Sequence, residues 1–389
     1  MKSYIKILIL LLAVAGCKKP YNPVLSSSAA SYLVVEGLIN SGADSTVIKL
    51  SKTVNIGTKI PVPEINAIVT VEGDQNSSYL LKEIAKGTYV FAGLNLDHTH
   101  KYRLRIKTTD NKEYLSDYQE VVITPPIDSI GFTAQSDGIR LYLNTHDTKN
   151  STRYYRWDYT EAWQFHSKYV SSYKVGKDNK GNNAIFTKLP NEVTYYCFAN
   201  SSSNSILLGS SAKLAEDVIY QAPITFVPSN SEKLELKYSI QVRQFALTKE
   251  AFNFWTNLKN ISEQLGGIFD AQPSQISGNI HNVNNAAEPV IGYISVSTVQ
   301  LKRVFIRYEE LPQGYFAVYP YECTADTALL HNPKTQQNDV QLLILDNPGF
   351  YIPLTEVDVN GKLIGYTASS PECSDCTIRG VVKAPLFWK

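Results

Sequence analysis

The feature that most constrains the fold is a succession of short β-type runs separated by turn residues. Between residues 32 and 124 the chain reads YLVVEGLIN, TVIKLSKTV, AIVTVEG, GTYVFAGL, HKYRLRIKT and QEVVIT, with Gly, Asn, Asp or Pro in nearly every gap. This spacing is typical of β-sandwiches, whereas an alternating α/β fold would show helical periods between its strands. We therefore predict a mainly β protein built from tandem immunoglobulin- or fibronectin-like β-sandwich domains.

A proline pair marks the expected domain boundary. Pro125 and Pro126 follow the last of these runs, and proline interrupts strand pairing because it lacks the backbone N–H. We predict a first β-sandwich domain at residues 31–124 and a larger β-rich domain at residues 127–389, which has room for two subdomains.

One segment in the C-terminal half has a helical period. Thr248 is placed as an N-terminal cap, and Gly266 with Gly267 would end the helix. Between them, apolar side chains recur at steps of four, three and four, at Phe254, Leu258, Ile261 and Leu265. The pattern predicts one amphipathic helix over about residues 248–265, packed against a sheet.

The N-terminus has the parts of an export signal. Two lysines precede the apolar segment 7–15, which is far shorter than the roughly 20 residues of a membrane-spanning helix. A charged start, a short apolar core and small residues are typical of a secretory signal peptide. The stretch LLAVAGC resembles a bacterial lipobox, and that resemblance implies cleavage before Cys17 and a diacylglycerol on its thiol. We predict a signal peptide at 1–16 and a lipidated tether at 17–30; the alternative is an ordinary secreted protein.

The charge balance argues against a nucleic-acid partner. The chain has 37 basic and 36 acidic side chains, and removal of the signal peptide would take away two lysines and no acid. A surface near neutrality exerts no long-range attraction on nucleic acid or anionic lipid. The expected partner is instead the lipid bilayer, reached through the acylated cysteine.

Four further cysteines remain, an even number that suits an oxidising compartment. They are Cys197, Cys323, Cys373 and Cys376, and sequence alone leaves three pairings open. We predict structural disulfides that join the C-terminal region to distant strands. The CSDC spacing also suits zinc or a redox dithiol, but a structural zinc site needs a second ligand pair, so we predict no metal here.

An aromatic run offers candidate ligand contacts. In STRYYRWDYTEAWQF, residues two apart on a strand share one face, and Tyr155, Trp157, Tyr159 and Trp163 would line that face. Such a row is either the inner face of a sandwich, which we favour, or a platform for carbohydrate or peptide.

Two histidines could chelate a metal from one strand face. In LNLDHTHKYRLRI, however, two leucines followed by Tyr102 resemble the tyrosine corner of immunoglobulin-like sandwiches, in which the tyrosine bonds back to the preceding turn. His98 and His100 would then lie on the corner loop. We predict that they bind no metal.

Several long motifs in fixed order resemble one family. The helix is followed by QPSQISGNIHN, EPVIGYISVSTV and KRVFI, and the chain ends in CSDCTIRGVVKAPLFW. This order is similar to Bacteroidota lipoproteins known as domain of unknown function 4249. The resemblance implies attachment to the outer membrane, proximity to TonB-dependent receptors and no established activity. Lys18 and Lys19 stand where surface-exported lipoproteins of that phylum often carry acids, so the periplasmic and cell-surface faces both remain open.

No catalytic motif accompanies these features. GxSxG, HExxH, GxxxxGK[ST] and GxGxxG are missing, and the six histidines are scattered. We predict a non-catalytic, outer-membrane-anchored lipoprotein without a cofactor, acting as an accessory or substrate-capture partner of a TonB-dependent transporter. The alternative is an extracytoplasmic hydrolase or a glycan- or peptide-binding surface protein.

Overall fold

The computed structural model describes residues 31–54, 60–263 and 278–388. The predicted signal peptide, Cys17 and the tether lie outside the described residues. The described chain is mainly β, as predicted, and its sheets form sandwich-like arrangements. In the same residues, no helix has the length and apolar character needed to cross a membrane.

The described residues form strands and two short-to-medium α-helices. In chain order the strands are β1 (Leu33–Asn40), β2 (Thr46–Lys52), β3 (Val62–Pro63), β4 (Ile68–Gly73), β5 (Ser78–Ala85), β6 (Thr88–Phe91), β7 (Lys101–Lys107), β8 (Glu113–Ser116), β9 (Gln119–Val122), β10 (Ile127–Gln135), β11 (Gly138–His146), β12 (Tyr154–His166), β13 (Tyr173–Lys177), β14 (Asn183–Thr187), β15 (Tyr196–Ser202), β16 (Leu207–Ser210), β17 (Val218–Pro228), β18 (Lys237–Ala246), β19 (Ile280–Asn282), β20 (Val296–Ser297), β21 (Val299–Arg307), β22 (Asp326–Leu329), β23 (Ile352–Val359) and β24 (Lys362–Ser369). The α-helices are α1 (Lys249–Glu263) and α2 (Pro371–Ser374).

The N-terminal sandwich is a continuous series of paired strands. The order β8-β7-β4-β5-β6-β2-β1-β20-β9 closes on itself because β9 also pairs with β7. Side chains alternate along each strand, so that Tyr102, Leu104 and Ile106 of β7 are buried while Lys101 and Lys107 are exposed. The buried set forms one hydrophobic core.

This first sandwich extends beyond the predicted boundary. Strand β20 lies between β1 and β9 and pairs in parallel with both, with Val296 opposite Ile39 and Val121. Ile280 of β19, which pairs with β8, joins the same core. Strands β19 and β20, which lie beyond residue 124, thus pair with strands of the first sandwich. Local sequence does not report a partner so distant along the chain.

A second sandwich follows the proline pair. One sheet has the order β10-β11-β17, and the other has the order β15-β12-β18-β21 with β16 also paired to β12. Apolar side chains of both sheets form a single core between them. A smaller third core lies among the β13–β14 hairpin, the sheet β22-β24-β23 and the helical turn Val340–Leu345.

Helix α1 packs on the sheet of the second sandwich, as predicted. Thr248 Oγ1 accepts a hydrogen bond from the backbone N–H of Ala251 at 3.2 Å, which caps the first turn. Ala251 and Phe254 are buried, and Phe252 packs 5.0 Å from the ring of Tyr154 in β12. The predicted stop at Gly266 and Gly267, with Leu265, lies outside the described residues.

The tyrosine corner is present in the first sandwich. Tyr102 is buried, and its hydroxyl donates to the carbonyl oxygen of Asp97 at 3.1 Å. This bond holds the turn in which His98 is exposed and His100 Nδ1 lies 3.3 Å from Asp74. Among the described residues, no three His, Cys, Asp or Glu side chains are grouped closely enough to hold a metal ion.

Candidate functional site

A cleft of about 580 Å³ opens at the end of the N-terminal sandwich where the described chain begins. Its volume falls within the range of small-ligand sites, about 300 to 1,000 Å³. Four separate segments line it: the chain entry, the end of β2, the β7–β8 hairpin and the loop after β19. The lining residues are Ser31, Tyr32, Leu33, Lys52, Thr108, Asp110, Lys112, Tyr114, Asn285, Ala287, Glu288 and Pro289.

Glu288 is the most fully hydrogen-bonded acid of the cleft. Lys112 Nζ lies 3.1 Å from each of its carboxylate oxygens, and the Tyr114 hydroxyl donates to it at 2.8 Å. Asn282 Nδ2 donates at 2.9 Å. Burial opposes ionisation of this carboxyl, but the hydrogen bonds from Tyr114 and Lys112 outweigh it and lower the pKa of Glu288. Burial and the bond to Glu288 in turn raise the pKa of Tyr114.

The other charged groups of the cleft are held in their ionised forms as well. Thr108 Oγ1 donates to Asp110 at 2.5 Å, and this hydrogen bond lowers the pKa of Asp110. Lys52 lies 2.8 Å from Glu64, and that hydrogen bond raises the pKa of Lys52. The cleft therefore carries ionised carboxylates and ammonium groups side by side.

This charge state suits binding better than acid–base catalysis. A general acid that works near neutral pH needs a carboxyl whose pKa is raised, whereas the pKa values of Asp110 and Glu288 are lowered. Besides these charged groups, the cleft is lined by the side chains of Tyr32 and Tyr114.

The lowered pKa of Glu288 predicts a pH-dependent contribution to stability. Its stabilisation is fully present above the unfolded value of 4.5 and is lost as pH falls through the lower folded pKa. Glu288→Gln should therefore cost about 1 to 3 kcal/mol at neutral pH, and progressively less below the unfolded pKa. Urea unfolding across this pH range measures the difference, with the exposed Glu309→Gln as control. A cost that stays constant down to strongly acidic pH would contradict the assignment.

The aromatic run of β12 belongs to the core. Tyr155, Trp157 and Tyr159 are 0%, 2% and 9% exposed, and the rings of Tyr155 and Trp157 stack 5.9 Å apart. The ligand-facing alternative is wrong for these three because the facing sheet covers them. Trp163, on the same strand face, lies at the edge of this core and is half-buried, with Nε1 donating to Glu232 at 3.1 Å.

A buried carboxylate on the same face is absent from the sequence predictions. Glu161 is 5% exposed and accepts hydrogen bonds from Tyr238 Oη at 2.6 Å and Ser201 Oγ at 2.7 Å. Lys233 Nζ lies 2.5 Å from it and 5.1 Å from the centre of the Trp163 ring. Burial raises the pKa of Tyr238. The sequence alternation could have predicted this burial, because Glu161 lies an even number of residues from Tyr155, Trp157 and Tyr159 and therefore shares their strand face.

A polar cluster lies at the end of β12. The Tyr319 hydroxyl donates to Glu235 at 2.7 Å and lies 3.0 Å from His166 Nδ1, while the backbone N–H of His166 donates to Glu235 at 3.0 Å. Arg379 donates to the carbonyl oxygen of His166 at 3.3 Å and pairs with Glu232. Within the described chain, no serine or threonine hydroxyl bonds to a histidine ring, as a Ser–His nucleophile pair would require. The contacts of this cluster instead connect β12 to the C-terminal segment that contains Arg379.

A mostly buried arginine, with 16% of its side chain exposed, lies under helix α1. The guanidinium of Arg156 is 4.1 Å from the Trp255 ring and 4.9 Å from the Phe245 ring, with Asp158 at 3.8 Å. Burial lowers the pKa of Arg156 to about 10, so it remains charged at neutral pH. Its position between α1 and β18 suits packing of the helix on the sheet.

The structure selects one of the three possible cysteine pairings. Cys197 pairs with Cys376, and Cys323 pairs with Cys373. The CSDC motif thus joins two distant parts of the chain, which confirms the structural disulfides. The C-terminal segment also runs along β15, where Phe198 and Val381 exchange backbone hydrogen bonds of 2.8 and 2.9 Å.

The fold and the cleft define a mainly β, disulfide-linked protein with a polar cleft. The family model "Domain of unknown function (DUF4249)" matches residues 18–303. The chain belongs to that family, as its motifs predicted. A comparison with curated proteins gave no match.

Two solved structures illustrate distant likenesses. The native conformation of the α-2-macroglobulin of E. coli is 11% identical over 56% of this chain and 17% of that chain, with a TM-score of 0.19. The adhesin InvE of Yersinia pseudotuberculosis is 10% identical over 88% of this chain and 97% of that chain, with a TM-score of 0.15. This chain spans less than a fifth of the macroglobulin. At these scores neither likeness carries an argument about function.

Proposed function

We propose that this protein is a lipid-anchored, non-catalytic binding protein of the outer membrane, which captures a polar ligand and presents it to a TonB-dependent transporter. The observation that carries the proposal is the cleft beside Ser31, in which Lys112 and Tyr114 hold Glu288 ionised. A hydrogen-bonded set of this kind offers fixed donors and acceptors to a polar ligand, and its carboxylate, whose pKa is lowered, is a poor proton donor near neutral pH.

The anchor is supported by the N-terminal sequence. The charged start, the short apolar core and Cys17 at the end of LLAVAGC match the order of a lipoprotein signal. Several acyl chains on one terminus hold a protein stably, whereas one chain of myristoyl size holds it only marginally. Residues 18–30 would then connect the lipid to the body that begins at Ser31.

The charge state of the cleft favours binding over hydrolysis. The two acids, Asp110 and Glu288, both have lowered pKa values, whereas glycoside hydrolysis needs one carboxyl that stays protonated. The transporter partner rests on the resemblance of the chain's motifs to lipoproteins encoded beside such receptors.

Metabolic labelling with an alkyne-tagged palmitate tests the anchor in the native host. The full-length protein should carry the label and fractionate with outer membranes, and Cys17→Ser should lose both properties. Cys323→Ser is the control, since it removes a cysteine that the structure places in a disulfide. Label that persists in Cys17→Ser, or an unlabelled wild-type protein, would refute the lipid anchor.

A further inference from the structure

Five aliphatic side chains are exposed at the end of the N-terminal sandwich where the described chain begins. We call this set the entry-end patch; its members are Ile60, Val62, Ile65, Ile68 and Ile84, with exposed fractions of 76%, 52%, 41%, 56% and 66%. Scattered exposed apolar residues are ordinary, but several gathered on one end of a domain mark an interaction surface.

Backbone and side-chain bonds hold the segments of the patch together. Val62 in β3 pairs with Lys52 in β2. The backbone N–H of Asn66 donates to Glu83 at 2.8 Å, which joins the segment containing Ile65 to the strand that ends beside Ile84. These bonds hold the segments that carry Val62, Ile65 and Ile84 to the end of the sandwich.

A buried tyrosine fixes the loop 64–67, which joins β3 to β4 and carries Ile65. The hydroxyl of Tyr89 donates to the carbonyl oxygen of Glu64 and accepts from the N–H of Ala67, each at 2.9 Å. Because both bonds come from a buried side chain, the core supports this loop, while Ile65 is exposed to solvent.

Basic side chains surround the apolar residues. Ile68 in β4 lies directly opposite Lys107 in β7, so the two side chains share the outer face of the sheet. Lys82 and Lys86 are exposed on the adjoining strand and turn. None of these three lysines has a carboxylate within ion-pair distance among the described residues, so their charges are available to an anionic surface.

The chain enters the body beside this patch. The backbone N–H of Tyr32 donates to Thr53 Oγ1 at 2.9 Å, and Ser31 Oγ donates to the carbonyl oxygen of Thr53 at 3.2 Å. Thr53 follows Lys52, the residue paired with Val62. Only 13 residues separate Cys17 from Ser31, so the lipidated cysteine lies within about 50 Å of Ser31, at the patch end of the sandwich, even at full extension.

We propose that the entry-end patch rests on the membrane leaflet that holds the acyl chains. Its isoleucines enter the boundary between headgroups and acyl chains, and Lys82, Lys86 and Lys107 contact anionic headgroups. This proposal rests on the lipid anchor proposed above. It places the body against the bilayer, and the cleft, which shares Lys52 and Ser31 with this end of the sandwich, opens beside the membrane surface.

Vesicle flotation of the mature chain carrying Cys17→Ser tests the patch without the lipid. The vesicles contain phosphatidylethanolamine with phosphatidylglycerol, and a second set contains phosphatidylcholine alone. Ile60→Asn with Ile84→Asn should lower partition onto the anionic vesicles by about tenfold or more, because two side chains lose their burial in the bilayer. The matched control is Leu214→Asn with Phe350→Asn, whose side chains are 55% and 68% exposed and belong to other parts of the surface; partition should be unchanged.

Each outcome of this experiment decides the proposal. Partition that depends on Ile60 and Ile84 and is stronger on anionic vesicles supports it. A mature chain that does not float, or a patch variant that floats like the control, overturns it. A patch variant that changes the oligomeric state in sedimentation but not the flotation assigns the surface to a second copy of the chain. Loss of palmitate label is read separately in the native host, so failure of the anchor and failure of the patch are distinguishable.

Discussion

Replacing Cys197 and Cys376 with alanine should lower the free energy of unfolding by about 3 to 5 kcal/mol. The bond closes a sequence separation of 179 residues, and both sulfur-bearing side chains are fully buried against Phe165. Loss of the bond raises the conformational entropy of the unfolded chain. It also removes the covalent link between β15 and the C-terminal segment. Urea unfolding of the oxidised proteins, followed by tryptophan fluorescence, measures the change.

The second disulfide is the matched control. Cys323 and Cys373 are separated by only 50 residues, so chain entropy predicts that removing this bond costs about 1 kcal/mol less than removing the first. Equal stability of wild type and the first double variant would show that the bond does not stabilise the second sandwich.

Trp157→Ala should destabilise the protein by about 3 to 5 kcal/mol, as is usual when a buried aromatic is truncated. The indole is 2% exposed and packs on Tyr155. Its Nε1 donates to Gln244 Oε1 at 2.8 Å, and Gln244 Nε2 in turn donates to the carbonyl oxygen of Pro125 at 2.8 Å. Through Gln244, the Trp157 side chain therefore connects the proline segment at Pro125 to the core of the second sandwich. Thermal and urea unfolding provide the measurement.

Two variants separate packing from hydrogen bonding at this position. Trp157→Phe keeps an aromatic ring but leaves the buried Gln244 oxygen without its donor, so we expect a smaller cost of about 1 to 3 kcal/mol. Tyr220→Ala, at a side chain 75% exposed, should change stability by less than about 0.5 kcal/mol. A Trp157→Ala variant that unfolds like wild type would contradict the assignment of this residue to the core.

Local sequence was sufficient to predict most individual strands and the helix α1. Alternation in HKYRLRIKT reappears in β7, where Tyr102 and Leu104 are buried between exposed or half-buried lysine and arginine residues. The helical period from Thr248 onward reappears in α1. These elements depend on contacts within a few residues, which a periodic pattern reports directly.

Pairings between distant segments could not be read in this way. The run EPVIGYISVSTV predicts extended chain, but nothing in it indicates that Val296 pairs with Ile39 of the first strand. Asn279 supports this arrangement by accepting from the N–H of Ile294 at 2.8 Å and donating to its carbonyl oxygen at 2.9 Å. Such a side chain has no distinguishing local pattern, so the completion of the first sandwich required the three-dimensional fold.

The candidate site was the least predictable part. Lys112 and Glu288 are 176 residues apart, and neither belongs to a motif with a known chemistry. The aromatic residues that do form a visible motif lie in the core instead. In this fold, the alternating aromatic residues identify side chains that pack in the core. The cleft is instead formed by hairpin and loop residues at one end of the first sandwich.

The proposed anchor, patch and cleft form one spatial arrangement. The chain entry at Ser31 lines the cleft, and Lys52 connects the cleft to Val62 of the patch. A body resting on this end would hold its polar cleft at the membrane surface, in the bilayer that would also contain the proposed transporter. This arrangement would let a ligand pass between the two proteins without release into bulk solvent.

Purification of the tagged, full-length protein from its own outer membrane in mild detergent, with mass spectrometry of the co-purifying proteins, tests the central claim most directly. We predict stoichiometric recovery of one TonB-dependent transporter, and a Cys17 peptide that carries acyl chains. Recovery of the acylated protein alone from membranes that contain such transporters would contradict the role of a transporter partner.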